Sequence, residues 1–316
     1  MSTPPPGTPR RIDPSGVLVV DKATGPTSHD VVARVRGGLQ VKRAGHTGTL
    51  DPLASGVLIV CVGEATKLAG YLTHAEKEYD CTARLGVVTD SHDATGEVLA
   101  ERPVDVTREQ VEEVLGRFRG HISQVPPMFS ALKKGGKRLY KLARKGEVVE
   151  REPRAVVVSK LEMTRFEPPE IDLLVVCGKG TYVRTLLHDI GEVLGCGATL
   201  SRLVRTRVGG LTLEGAVSMD ELESARSSEE RQALRGRLIS TSEAMADYPA
   251  VRLDSRKVRA VTHGRLLDAG EVAQAGGGGL RSGQLVRMLD QEGTLVAIGE
   301  MKIHGLQPVR VLKAST

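Results

Sequence analysis

Residues 45–58 read Gly-His-Thr-Gly-Thr-Leu-Asp-Pro-Leu-Ala-Ser-Gly-Val-Leu, and the rest of the chain is organised around them. The stretch places an imidazole and one carboxylate in a loop of small residues, before an apolar run that predicts a strand over Val57–Val62. Pro52 restricts Asp51 to an extended conformation, so we expect Asp51 on a stiff backbone at the mouth of that strand. Asp-Pro is also a common turn dipeptide, which leaves a simple turn role for Asp51 as the alternative.

The composition indicates an ordinary globular protein with a modest basic excess. The chain has 316 residues, 40% of them hydrophobic and 3% aromatic, and a net charge of +5. This length favours two domains, and the charge is compatible with a polyanionic partner. Residues 1–14 lack an apolar signal core and predict a disordered leader, and no stretch is apolar enough to span a membrane, so we expect a cytoplasmic protein.

The four cysteines argue against a zinc site. They lie far apart, without a Cys-x-x-Cys pair, at Cys61, Cys81, Cys177 and Cys196. We expect reduced cysteines, most of them in the core. A Walker loop, a G-x-G-x-x-G fingerprint and acids at metal-ligand spacing are also missing from the sequence. The pattern suits a reaction without metal or cofactor in which one carboxylate acts as nucleophile or base.

Strand and helix patterns alternate along the chain. A buried strand is predicted over residues 16–21, followed by a helix capped by Thr27 or Ser28. Further predicted elements are a helix over 64–72, a strand over 77–86, a helix opened by the capping box at Thr107, strands over 155–163 and 171–177, a helix from Tyr182 to Gly195, and a strand over 200–208. The polar stretch 89–96 is predicted to be a turn rather than a calcium loop, because its ligand pattern is wrong.

A basic segment lies at residues 133–154. Its nine basic and three acidic residues give a net charge of +6, more than that of the whole chain. Apolar residues at helical spacing from Leu139 to Ala143 would allow the segment to fold and dock. A charged run of this kind is usually a solvated face, but this one also fits an electrostatic grip on RNA phosphates.

Several motifs in this order resemble the TruB family of tRNA pseudouridine synthases, from about Gly16 to the C-terminus. Residues 45–58 resemble its catalytic motif, and the turn at residues 21–27 resembles its first motif, with Ala23 in place of the usual proline. The basic segment resembles the thumb inserted in this family, here over residues 127–154. The resemblance implies an α+β fold with a mixed, mainly antiparallel central sheet and flanking helices, a catalytic domain over 15–245, and a PUA-like RNA-binding β domain over 246–316.

The resemblance also assigns roles to residues. Asp51 corresponds to the catalytic aspartate, Tyr79 to the tyrosine that stacks on the flipped base and is placed for proton transfer, and Arg184 to the arginine that pairs with the aspartate in a buried ion pair. The substrate-binding residues it implies are His46, Tyr79, Tyr182, Leu203 and Lys22, the last as a phosphate ligand. The RNA-binding thumb residues are Lys133, Lys134, Lys137, Arg138, Lys141, Arg144 and Lys145. For each of these residues, ordinary packing or solvation is the alternative.

The implied reaction is isomerisation of uridine 55 in the T arm of tRNA to pseudouridine, by base flipping and without cofactor or metal. We expect a monomer without an obligate protein partner. A non-catalytic RNA-binding or tRNA-folding protein is the main alternative. A guide-RNA-dependent member of the same superfamily and a basic enzyme acting on a small nucleotide are the others; the basic insert favours the stand-alone tRNA branch over both.

Overall fold

The structure is a computed structural model, and it describes residues 14–130, 132–143 and 145–312. Its strands, in chain order, are β1 (Gly16–Lys22), β2 (Ala44–His46), β3 (Ser55–Val62), β4 (Lys77–Leu85), β5 (Val87–Thr89), β6 (Val98–Glu101), β7 (Gly120–Gln124), β8 (Lys133–Lys134), β9 (Lys137–Arg138), β10 (Arg154–Glu167), β11 (Glu170–Cys177), β12 (Ala198–Val208), β13 (Leu211–Thr212), β14 (Val217–Ser218), β15 (Ala250–Arg252), β16 (Leu267–Asp268), β17 (Leu285–Leu289), β18 (Leu295–Lys302) and β19 (Gly305–Val311).

The α-helices are mostly short. In chain order they are α1 (Ser28–Leu39), α2 (Ala69–Leu72), α3 (Arg108–Arg117), α4 (Leu139–Ala143), α5 (Val183–Leu194), α6 (Met219–Ser224), α7 (Ser228–Gly236), α8 (Thr241–Ala244), α9 (Ser255–Thr262) and α10 (Ala269–Gln274), and a 3₁₀ helix spans Gly63–Leu68. Across the three described ranges, no helix combines the length and the apolar character needed to cross a bilayer.

A ten-stranded sheet forms the centre of the molecule. Its main path runs β14-β1-β3-β12-β4-β11-β10-β7, with β2 paired to β3 and β13 paired to β12. Only the β14–β1 and β3–β12 pairs are parallel. Helix α5 packs on one face of this sheet, where an apolar core joins it to α1 and α3. The expected α+β fold with a mixed, mainly antiparallel sheet is therefore confirmed.

A second, five-stranded sheet follows in the order β15-β17-β18-β19-β16. Its own core is built around Val286, Met288 and Ala297. A further apolar cluster joins the two sheets, since Leu289 and Ile298 pack together with Val17 and Ile59 of the large sheet. The proposed boundary between residues 245 and 246 stays a prediction, and the proposed leader falls almost entirely on residues 1–13, outside the described residues.

Most local signals in the sequence correspond to the observed elements. Thr27 caps α1 and Thr107 caps α3, each through a complete capping box, and Gly195 ends α5 in a left-handed conformation. The helix predicted over 64–72 differs: it begins as a 3₁₀ helix and only its last turn is α-helical. The tighter winding aligns residues three apart, which buries Ala65 and Leu68 on one side. All four cysteines are free and buried, as predicted.

The basic segment folds into a small unit of its own. Strands β8 and β9 form a hairpin that the sequence did not predict, and it leads directly into α4, the helix that the spacing of Leu139 and Leu142 indicated. These two leucines pack against Met128 in a separate apolar cluster. The cations predicted to bind RNA lie on its exposed surface, namely Lys133, Lys134, Lys137, Arg138, Lys141 and Lys145. Arg144 is outside the described residues.

We predict that Gly191→Ala will lower the free energy of unfolding by about 1–3 kcal/mol, because a Cβ there forces backbone apart. Gly191 lies where α5 meets the start of β12, and an added Cβ would stand 2.2 Å from the amide nitrogen of Ala198. Urea unfolding would measure the loss.

Gly116→Ala provides the matched control within α3, because a Cβ at Gly116 meets nothing within 4 Å. We expect this variant to gain about 0.5–1 kcal/mol from reduced backbone freedom. Equal stabilities for the two variants would contradict the proposed close contact at Gly191.

Candidate active site

A cleft of about 570 Å³ opens over the centre of the large sheet. Its walls come from the start of α1, the loop at residues 48–52, strands β4 and β12, the turn at residues 91–95, the thumb, the segment 178–184 leading into α5, and Thr73. This volume falls within the range of about 300–1,000 Å³ typical of small-ligand sites. Asp51, Tyr79 and Arg184, predicted from distant parts of the sequence, all line it.

The loop that carries Asp51 is held from below by buried polar side chains. The Ser28 hydroxyl donates to the Leu50 carbonyl at 3.0 Å and accepts from the Leu50 amide at 2.9 Å. The Lys22 ammonium donates to the Ala54 carbonyl at 2.6 Å. On the other flank, the Arg205 guanidinium donates to the carbonyls of Gly48 at 3.2 Å and Val57 at 2.7 Å. The backbone around Asp51 is therefore fixed before any ligand arrives.

Asp51 and Arg184 meet in the cleft, as the resemblance implied. The Nε atom of Arg184 lies 3.2 Å from Oδ2 of Asp51. The pair is not buried on both sides, however, because the side chain of Arg184 is 5% exposed and that of Asp51 is 42% exposed. The expectation of a buried ion pair was thus wrong for the aspartate: the cation is buried under the cleft, and the carboxylate projects into it.

Arg184 also connects the aspartate to two other segments. One terminal nitrogen donates to the Ser91 carbonyl at 2.9 Å, and the other donates to the carbonyl of Phe129 at the base of the thumb. A second carboxylate, that of Asp93, lies 3.8 Å from the guanidinium. These contacts compensate for a cation in the first turn of a helix, where the helix dipole disfavours positive charge.

Asp93 is held in place by its own turn. Its Oδ1 atom accepts from the hydroxyl of Ser91 at 2.9 Å and from the hydroxyl of Thr95 at 2.6 Å. The turn role predicted for this stretch is therefore correct, but it is incomplete. The same carboxylate presents its other oxygen to Arg184, so the turn is also a wall of the site.

Tyr79 lies in the floor of the cleft. It pairs across strands with Val175 of β11 and with Arg205 of β12. The side chain is buried, and this burial raises the pKa of its hydroxyl, an effect that the positive charge of Arg205 opposes. Tyr79 thus presents a protonated hydroxyl beside a buried cation and near Asp51.

Tyr182 and Leu203 complete the apolar lining. Tyr182 immediately precedes α5, and its backbone is fixed by Gln124, which accepts from its amide at 2.8 Å and donates to its carbonyl at 3.1 Å. The Tyr182 ring also lies 5.9 Å from the guanidinium carbon of Arg184. Leu203 projects from β12, two residues before Arg205 and on the same face.

Two predicted substrate-binding residues are not in the wall of the cleft. His46 packs edge-on against His29, with ring centroids 5.3 Å apart. Of these two histidines, His29 lines the cleft and His46 does not. Lys22 is fully buried, and its ammonium is occupied by the carbonyls of Ala23 and Ala54. A phosphate cannot reach a fully buried ammonium, so the phosphate-ligand hypothesis for Lys22 is contradicted, and the residue instead supports the loop of Asp51.

Sequence reasoning missed several contributors to the site. Ser28, Asp93, Gln124 and Arg205 all hold elements of the cleft through buried hydrogen bonds. A signal existed for Arg205, because it lies two residues from Leu203 on the same face of β12, and a cation on a buried face requires partners. For Gln124 and Asp93 the partners come from sequence positions 58 and 91 residues away, and nothing in the local pattern indicates them.

Comparison with known proteins identifies the class. The fold resembles a chain in "Structure of H/ACA RNP bound to a substrate RNA containing 2'-deoxyuridine", with a TM-score of 0.73, 26% identity, and coverage of 96% of this chain and 86% of that one. A chain in "Crystal Structure of a Cbf5-Nop10-Gar1 Complex" is similar, with a TM-score of 0.72, 29% identity, and coverage of 96% and 85%.

Sequence comparison is more specific. Residues 36–183 match the model of the TruB family pseudouridylate synthase N-terminal domain, and residues 184–246 match that of the tRNA pseudouridylate synthase B C-terminal domain. Relatives called tRNA pseudouridine synthase B are 44% identical: one from Pseudomonas aeruginosa (strain UCBPP-PA14) covers 95% of this chain and 96% of its own length, and one from Stutzerimonas stutzeri (strain A1501) covers 96% and 97%. The chain therefore belongs to the TruB family of pseudouridine synthases, which are isomerases.

We predict that the stability of the protein rises between pH 8 and about 10.5, in part through Lys22. Burial lowers the pKa of Lys22 from 10.5 to about 8, an effect that Asp51 opposes. In this range the unfolded chain keeps a proton on Lys22 that the folded chain has lost, so rising pH favours the folded state by up to about 1.4 kcal/mol per pH unit.

Urea unfolding at pH 8 and pH 10 would compare wild type with Lys22→Met, for which we expect a shallower rise. The exposed lysine variant Lys160→Met serves as the control and should keep the wild-type slope. Identical slopes for wild type and Lys22→Met would contradict the buried, destabilised ammonium.

Proposed function

We propose that this protein isomerises the uridine at position 55, in the T arm of tRNA, to pseudouridine. The observation that carries the proposal is the contact of Asp51 with the buried Arg184 in a cleft floored by Tyr79. Support for a tRNA substrate comes from the 44% identical relatives, whose name specifies tRNA. The T-arm position rests on the family resemblance of residues 45–58.

The proposed reaction exchanges one glycosidic bond for another. The N1–C1′ bond of uridine breaks, the freed uracil turns, and a C5–C1′ bond forms; C5 loses its proton and N1 gains one, so the atoms balance without a cofactor. Asp51 acts either as the nucleophile at C1′ or in removing the C2′ proton. Arg184 keeps the carboxylate oriented, and the protonated hydroxyl of Tyr79 is placed to take part in proton transfer.

Access to C1′ requires the nucleotide to leave its stack, at a cost of a few kcal/mol. Stacking of the extruded base on Tyr79 would return about 1–3 kcal/mol of this cost. Tyr182 and Leu203 are proposed to enclose the base from the sides. His46 is proposed to act only through His29, against which it packs.

Outside the cleft, we propose that the thumb holds the RNA backbone. Its lysines are exposed to solvent, and one of its cations, Arg138, is exposed and also lines the cleft. Phosphate contacts of this kind fix the register of an RNA without reading its sequence. The second sheet, within residues 246–316, is proposed as a PUA-like RNA-binding domain.

We also propose that the protein works as a monomer without a guide RNA. The two similar structures are titled as assemblies, an H/ACA RNP and a Cbf5-Nop10-Gar1 complex, but they are 26% and 29% identical to this chain. The relatives named for tRNA are 44% identical over nearly the whole length. The exposed basic thumb also gives a stand-alone enzyme its own means of gripping RNA.

We predict that Asp51→Asn binds a T-arm hairpin with wild-type affinity but forms no pseudouridine, because the amide is neither a nucleophile nor a base. The substrate carries tritium at C5 of the target uridine, and release of tritium measures turnover without added metal. Tritium release by the variant above trace level would overturn the role of Asp51. Tight binding without release by wild type would instead favour a non-catalytic RNA-binding protein.

We predict that Tyr79→Phe keeps its affinity for the same hairpin and loses rate by about 10²–10⁴-fold, the usual contribution of a proton-transfer group. Phenylalanine preserves the stacking surface and removes only the hydroxyl. Tyr71→Phe, a change at a tyrosine outside the lining of the cleft, serves as a control and should react normally. A wild-type rate for Tyr79→Phe would remove the proton-transfer role.

A further inference from the structure

One end of the cleft is basic, and its cations have no carboxylate partner. Lys77 and Lys179 line this end, and the Lys179 ammonium lies 3.3 Å from Nε2 of His74. Arg205 lies beside them in the floor. Within the described ranges, Lys77, Lys179 and Arg205 have no carboxylate oxygen within 4.0 Å, although surface cations such as Arg207 do. We call Lys77, Lys179 and His74 the basic end.

The sheet register brings these residues together. Lys77 begins β4 and pairs with Cys177, the last residue of β11, and Lys179 follows two residues later. Lys77 and Tyr79 lie two residues apart on the same face of β4, a spacing of about 7 Å along the strand. The basic end is thus fixed next to the proposed base-stacking residue by strand pairing rather than by a mobile loop.

Hydrogen bonding leaves donors available there. The Lys77 ammonium is nine-tenths buried and donates to the carbonyls of Thr73 and Ala75, each at 2.6 Å. An ammonium has three donors, and the structure gives this one no third acceptor among the described residues. The neighbouring Gly180 adds no side chain, and a Cβ built there meets nothing within 4 Å, so the approach to Lys179 is open.

The cations also repel one another. Burial, together with the charges of Arg205 and Lys179, lowers the pKa of Lys77 from 10.5 to about 8. Burial and the charges of Lys179 and Lys77 likewise lower the pKa of His74. Unopposed positive charge in a partly buried site is costly, and an anion would relieve it.

We propose that the basic end is a subsite for one phosphodiester group, the backbone phosphate adjoining the nucleotide whose base stacks on Tyr79. The inference rests on the proposed function and adds a residue-level contact to it. Lys77 and Tyr79 are neighbours about 7 Å apart along one face of β4, so a base stacked on Tyr79 would bring its adjoining backbone phosphate next to the basic end. Lys179 supplies an exposed ammonium, and Lys77 supplies a buried one held in fixed geometry.

The test uses T-arm hairpins that carry a single neutral methylphosphonate, placed in turn at each phosphate next to the target uridine. Equilibrium binding is measured for wild type, Lys179→Ala and Lys160→Ala. Lys179 is exposed, so its removal does not threaten folding. Lys160 is also an exposed lysine, and it serves as the control because it lies on the other side of the sheet. Its charge acts on Glu78, whose side chain points to the face of β4 opposite Lys77 and Tyr79.

We expect one methylphosphonate position to weaken binding to wild type and to Lys160→Ala severalfold, and to weaken binding to Lys179→Ala clearly less, because only Lys77 then faces that phosphate. With the unmodified hairpin, Lys179→Ala should also lower the slope of log affinity against log salt by about 0.7, the value for one phosphate of a single strand.

Equal losses for wild type and Lys179→Ala at every position would overturn the subsite. Tritium release from the unmodified hairpin by wild type separates this result from a failure of the proposed function. A wild type that neither binds nor converts the hairpin would overturn the proposed function and the subsite together.

Discussion

The contact between a buried guanidinium and a half-exposed carboxylate is the constraint on which the site depends. A buried guanidinium needs partners, and the two terminal nitrogens of Arg184 donate to the carbonyl of Ser91 and to that of Phe129 at the base of the thumb. Asp51 and Asp93 supply the negative charge. Because one side chain contacts all of these segments, displacement of the thumb would also disturb the contact between Arg184 and Asp51. In the proposed function, RNA binding by the thumb and the geometry at Asp51 are therefore linked.

The same principle sets the loop of Asp51. Ser28, Lys22 and Arg205 each direct buried donors at its backbone, so its carbonyls are bound from within the protein. The carboxylate itself needs none of these groups and stays accessible to a substrate. An arrangement that fixes the backbone and exposes one carboxylate lowers the free-energy cost of reaching the reactive geometry, because the substrate needs to induce little reorganisation.

How far the sequence could predict this structure depended on the range of the interaction. Capping boxes and strand alternation involve neighbours in sequence, and both located elements correctly, as at Thr27 and Thr107. The family resemblance brought Asp51 and Arg184 to one site. Asp93 was predicted only to form a turn and Lys22 to bind a phosphate, because their true partners depend on how distant segments pack. Burial of a lysine is a tertiary property that no local pattern encodes.

The distribution of charge gives the cleft a direction. Its acidic groups, Asp51 and Asp93, are both committed to Arg184, whereas Lys77 and Lys179 have no carboxylate partner among the described residues. A polyanionic strand entering such a cleft is attracted by the cations at one end. At the other end, the negative charges of Asp51 and Asp93 are offset by Arg184. In the proposed function, the backbone is then drawn toward the cations while the sugar lies near Asp51. Such attraction positions a phosphate without reading a base, because it acts on charge alone.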